Sequence, residues 1–88
     1  MFDKKKMADD IKRMIILLAD QNSILPNRIN DDDIILDLGI LDSPAIIELL
    51  CQYEEKYEFE IEKNEITMNN LGTVNKMVEF AIKKIQRI

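Results

Sequence analysis

The chain has 88 residues with 47% hydrophobic and 33% charged content, which suits one small folded domain rather than a disordered segment. It has one cysteine, Cys51, and no histidine, which excludes a disulfide framework, Cys/His zinc sites and Ser-His or Cys-His nucleophile pairs. The formal net charge of −5 is unevenly placed. Residues 31–65 hold twelve acids against two bases, while the remainder holds five acids against ten bases. A segment this acidic repels a phosphate backbone, so no nucleic-acid partner is expected.

The opening Lys4-Lys5-Lys6 is not followed by the apolar core and small-residue site of a secretory signal. The longest apolar run, Met14–Ala19, is far shorter than the ~20 residues that span a bilayer, so no membrane insertion is expected. Met7, Ile11, Met14, Ile15 and Leu18 form the stripe of a first amphipathic helix, ended by Asn22 and Pro26. Residues 20–42 then make a long connection, with Ile29, Ile34, Ile35, Leu36 and Leu38 as its expected anchors on the core.

A second helix begins at Asp42-Ser43-Pro44. Ser43 is read as the N-cap and Pro44 as the first helical residue, where its missing N–H costs nothing. Ile46, Ile47, Leu50, Tyr53 and Tyr57 form its apolar face. Residues Asn64 to Leu71 hold a short helix stopped by Gly72. Thr73 caps the last helix, whose stripe is Val74, Met77, Val78, Ala81, Ile82 and Ile85, with Lys83, Lys84 and Arg87 suited to the negative dipole end. The expected core includes Ile11, Ile15, Leu18, Ile46, Leu50, Val78 and Ile82. Cys51 reads as a small hydrophobe, and Tyr53, Tyr57 and Phe80 as core or core-edge residues.

The ordered set Asp37-Leu38-Gly39, Asp42-Ser43-Pro44 and Glu48-Leu49-Leu50, followed by Glu54-Glu55-Lys56-Tyr57, Glu60-Ile61-Glu62 and Thr73-Val74, resembles the acyl carrier proteins over about residues 7–86. The residues agree with this on physical grounds: Gly39 can take a positive φ at a turn, and a serine at a helix N-terminus meets free amides that favour an anion. The resemblance implies an all-α, four-helix acyl-carrier-like bundle: three main helices, one short helix and a long loop between the first two. It implies one carrier domain over 1–88.

It further implies 4′-phosphopantetheine from coenzyme A on Ser43, with Asp42 and Gly39 shaping the site. A phosphopantetheinyl transferase would install the group, and an acyl- or aminoacyl-activating ligase and an acyltransferase or synthase would use it. Ser43 is then an attachment point, and the chain is not itself an enzyme. Pro44, Ile47, Glu48, Cys51, Glu54 and Glu55 become the partner-binding candidates, with Asp42 beside them. The implied protein is a cytoplasmic monomer.

Two features set this chain apart from fatty-acid carriers. Pro44 stands where they carry a large apolar residue, and Gly39-Ile40-Leu41-Asp42-Ser43 has one residue more between Gly and Asp. The longer form, with Thr73-Val74-Asn75-Lys76-Met77-Val78, is similar to D-alanyl carrier proteins. The reading is therefore a carrier that shuttles a thioester-bound acyl group, with an aminoacyl carrier or an unmodified carrier-like adaptor as alternatives. A helix-turn-helix domain would need a basic second or third helix, and an EF-hand would place Ile34, Leu36 and Leu38 at ligand positions. Neither fits.

Overall fold

The structure is a computed structural model that describes residues 3–19 and 28–86. Helices α1 (Lys4–Leu18), α2 (Ser43–Tyr57), α3 (Met68–Leu71) and α4 (Val74–Gln86) follow in order, with 3₁₀ turns at Ile35–Leu38 and Lys63–Glu65. The architecture is the expected all-α carrier-like bundle. Among the described residues no helix is long and apolar enough to cross a membrane. Asn22, Pro26 and Arg87 lie outside the described residues.

Helix α1 starts three residues before its first core residue, because the Asp3 carboxylate accepts from the Lys6 amide at 3.0 Å and caps the first turn. That carboxylate also offsets three lysines placed at the positive dipole end. One face then buries Met7, Ala8, Ile11, Met14 and Ile15. Helix α4 opens where the Thr73 hydroxyl accepts from the Lys76 amide at 3.1 Å, as expected, and buries Val74, Met77, Val78, Phe80 and Ala81. Ile11, Ile15 and Val78 are core residues as expected; Leu18, Leu50 and Ile82 are only partly buried at its edge.

Helix α2 corrects two expectations. Its N-cap is Asp42, not Ser43: the Asp42 carboxylate accepts from the Ala45 amide at 2.9 Å, so Ser43 is the first helical residue and Pro44 the second. Its buried residues are Leu49 and Tyr53, while Ile46 and Leu50 are half-buried and Ile47 is 63% exposed. The apolar stripe of α2 is wider than the face that α1 and α4 cover. The helix is rotated to put Leu49 and Tyr53 innermost, which leaves Ile46 and Leu50 on the flank.

Tyr53 ties the interior together. Its hydroxyl donates to the Met77 carbonyl at 2.6 Å, and its ring meets Tyr57 and Phe59 edge-on at 5.7 and 5.1 Å. Burial, with Tyr57 alongside, pushes the Tyr53 phenol well above its ordinary pKa. Burial and the Asp10 carboxylate push that of Tyr57 up to about 12.

In the connection before α2, Ile29, Ile35 and Leu38 pack on the core as anchors, but Ile34 and Leu36 are 42% and 55% exposed. Ile40, only 2% exposed, is the stronger anchor. The acidic run clasps two helices: Asp31 pairs with Lys12 of α1 at 2.5 Å, and its carbonyl accepts from the Asn75 amide of α4 at 2.9 Å.

The short helix expected over 64–71 divides into the 3₁₀ turn and the single turn of α3, because the Thr67 hydroxyl caps a new start by accepting from the Asn70 amide. Gly72 does end it. A Cβ there would lie 2.5 Å from the Met68 carbonyl oxygen, so close approach rather than φ demands glycine.

Helix α2 ends at Glu58, which holds a left-handed conformation with φ 55° that costs an L-residue about 1–2 kcal/mol. Glu58→Gly should therefore raise stability by up to about 1 kcal/mol, the rest being offset by glycine's freedom in the unfolded chain. Urea unfolding checks it.

Candidate functional site

The site is built from a pinned loop and a helix start. The Ile35 amide donates to the Gly72 carbonyl at 3.0 Å, and Ile34 makes a β-bridge with Thr73, so the loop is fastened to the start of α4. The 3₁₀ turn ends at Gly39 with φ 67°, its amide reaching the Leu36 carbonyl at 3.4 Å. A Cβ on Gly39 would meet nothing within 4 Å, so the requirement for glycine is conformational. Ile40 then plugs into the core, Leu41 is half-buried, and Asp42 emerges extended at φ −84° and ψ 177°. The additional residue between Gly39 and Asp42 thus belongs to a segment with its own buried anchor.

Ser43 follows as an exposed residue on the first turn of α2. Its hydroxyl has no hydrogen-bond partner among the described residues. It is therefore free of any structural duty and open to covalent attachment. The supply of anion-binding amides is smaller than expected. Pro44 has no N–H, the Ala45 amide is taken by the Asp42 carboxylate, and the Ile46 amide by the Asp42 carbonyl at 3.0 Å. Of the amides from 43 to 46, that of Ser43 itself remains, together with the dipole.

Ser43, Ile47, Cys51 and Glu55 stand four residues apart and share one outward face of α2, flanked by Pro44 and Glu48. All six are exposed, so the structure brings these candidates together. Glu48 also accepts from the Gln52 amide side chain at 3.2 Å along the helix. Glu54 is placed differently. Half-buried, its carboxylate accepts from the Ile61 amide at 2.7 Å and braces the turn after α2.

Behind Ser43 lies a feature with no counterpart in the sequence reading. An apolar cavity of about 220 Å³ opens between α2, the Ile35–Leu38 turn, α3 and α4. Ile46 and Leu50 line one wall, Leu36 the loop side, and Ile66, Met68 and Leu71 the outer side. Leu36, Ile66 and Met68 are about half exposed at 55%, 54% and 47%. The excess apolar residues that the core does not cover are the signal that could have located it.

A serine freed from capping thus stands exposed after a Gly-turned loop, at the head of an acidic helix. The family profile "Phosphopantetheine attachment site" matches residues 12–81. The chain belongs to this carrier family. The carrier is similar to the D-alanyl carrier protein of Streptococcus uberis, 36% identical over 66% of this chain and 71% of that one. It is also similar to those of Leuconostoc mesenteroides (34% identical, 78% and 88% covered) and Streptococcus gordonii (28% identical, 80% and 89% covered). No solved structure matches it at a significant level.

The cofactor of the family is covalently attached 4′-phosphopantetheine. The carrier's residues fit it: a hydroxyl without a protein partner, exposed, at the positive end of a fifteen-residue helix.

Proposed function

We propose that Ser43 bears the phosphopantetheine group and that the chain is an aminoacyl carrier of D-alanyl type, acting in the cytoplasm. The single observation that carries the attachment is the exposed Ser43 hydroxyl on the first turn of α2, relieved of capping by Asp42. The D-alanyl reading rests on the Gly39-Ile40-Leu41-Asp42-Ser43 spacing and on the similarity to carriers of that name.

When bound, the group supplies a terminal thiol that holds the cargo as a thioester. The chain's own residues hold and present the site. Gly39 and Ile40 fix the loop, Asp42 fixes the helix start, and Pro44 stiffens it. Ile47, Cys51, Glu48 and Glu55 present an apolar strip edged by carboxylates to basic surfaces on a phosphopantetheinyl transferase, a D-alanine-activating ligase and an acceptor acyltransferase. Exposed charges of this kind speed encounter more than they tighten binding, which suits a shuttle. The chain performs no catalysis of its own in this reading.

The apolar cavity favours a second reading, in which the cargo is an apolar acyl chain. The two separate on loading. The phosphopantetheine-bearing protein is offered D-alanine with a D-alanine-activating ligase, or short and medium fatty acids with an acyl-activating ligase, and its intact mass is followed. A D-alanyl adduct released by hydroxylamine is the expected result. Loading by fatty acids alone would replace the first reading with the second.

A further inference from the structure

We propose that the groove between α1 and α2 is the contact surface for a second copy of this chain, paired about a two-fold axis that runs along the groove. The proposal concerns the folded chain itself and does not rest on Ser43 as the attachment residue.

The groove has a volume of about 490 Å³, with Arg13 and Leu17 on the α1 wall and Gln52 and Glu55 on the α2 wall. Lys56, one residue from the end of α2, pairs with Asp10 at 3.7 Å. Leu17, one residue from the end of α1, shares the groove with Gln52, so the two helices run antiparallel. Both walls carry groups left unsatisfied. Leu17 is 77% exposed. Arg13 and Glu55 are exposed on opposite walls, and neither has a hydrogen bond or ion pair among the described residues. One exposed leucine is ordinary on a monomer; here it belongs to a pattern.

The two walls complement each other position by position. From Asp10 along α1 the order is acid, base at Arg13, then apolar at Leu17. From Lys56 in the same direction along α2 it is base, acid at Glu55, then apolar at Cys51 and Ile47. At about 1.5 Å per residue, Leu17 lies about 10 Å beyond Asp10, between the levels of Cys51 and Ile47 at about 8 and 14 Å beyond Lys56. A two-fold axis along the groove lays α1 of each copy on α2 of the other. Arg13 then meets Glu55 of the second copy, Leu17 meets its Cys51 and Ile47, and every contact occurs twice. The two Asp10–Lys56 pairs come together as alternating charges. A net charge of −5 on each copy opposes the encounter, so the pairing is weak and needs a concentrated protein. Pairing covers Ile47, Cys51 and Glu55, so a paired chain is closed to enzymes that dock there; this consequence alone rests on the docking reading above.

Sedimentation of the full chain at concentrations up to about 1 mM, where weak association is populated, tests this. Alkylation of Cys51, the one cysteine of the chain and an exposed one, gives a second readout at the contact itself. In the parent the average mass should climb toward that of two chains. Alkylation should slow by about two-fold or more once most chains are paired. Arg13→Glu and Glu55→Arg each set like charges face to face and should stay monomeric, with alkylation at the dilute rate. The double variant should pair again, and so should an equimolar mixture of the two single variants, because opposite charges then meet at both contacts. Leu17→Asp should also stay monomeric. Urea unfolding of each monomeric variant should match that of the dilute parent, since the changed residues are exposed. The proposal is overturned by a parent that stays monomeric throughout or by association that survives the single charge reversals. It is equally overturned by failure of the double variant and the mixture to pair, or by Cys51 alkylation that does not follow association.

Discussion

Ser43→Ala is expected to abolish attachment of phosphopantetheine while leaving unfolding within about 0.5 kcal/mol of the parent protein. The separation follows from the cap. Asp42, not Ser43, satisfies the free amide of the first turn, and the Ser43 hydroxyl has no partner among the described residues. Alanine is a good helix former, so its introduction at the first helical position removes only the nucleophilic oxygen. Asp42→Ala should behave in the opposite sense, losing about 1 kcal/mol of stability with the cap. Mass spectrometry after treatment with a transferase and urea unfolding of both variants make the comparison. Attachment to the Ser43→Ala protein would place the site elsewhere, and its unfolding would make Ser43 a structural residue.

Leu49→Ala is expected to cost about 3 kcal/mol, a large part of the stability of a domain this small. Leu49 is 2% exposed and sits beside Tyr53 on the inner face of α2, so truncation leaves a void that α1 and α4 cannot close without moving. Leu50→Ala should cost about 1 kcal/mol, because Leu50 is half-buried beside a cavity that already exists. Urea unfolding of the pair reports the rotation of α2. Equal costs would mean that the apolar stripe, rather than the observed face, is buried.

The same pair shows where the sequence could be read and where it could not. In α4, Val74, Met77, Val78 and Ala81 of the expected stripe are buried, and Ile82 and Ile85 at its end are partly so. In α2 the apolar residues outnumber the places on the core, so periodicity could not say that Leu49 wins over Leu50 or that Ile47 faces out. Non-periodic anchors left a weaker trace: Ile40 is nearly inaccessible, whereas Ile34 and Leu36 reach the surface. Asp42 and Ser43 are both good caps, and proline is accepted at either of the next two positions, so only the Ala45 bond decides between them.

The family was legible because its motif is an ordered series of glycine, acid, serine and apolar positions. The role of Glu54 was not, because its partner Ile61 is brought back by the left-handed turn at Glu58. The cavity was not legible either, since its lining comes from separate parts of the chain: Ile35 and Leu36 in the loop, Ile46, Leu49 and Leu50 of α2, residues in and around α3, and Met77 of α4.

The most direct test of the attachment at Ser43 is the intact mass of the protein after incubation with coenzyme A, Mg²⁺ and a broad-specificity phosphopantetheinyl transferase, with the modified peptide then sequenced. The expected result is a gain of one phosphopantetheine, located on Ser43. No gain with several transferases would contradict the account, point to Pro44 as the obstacle, and leave an unmodified carrier-like adaptor in its place.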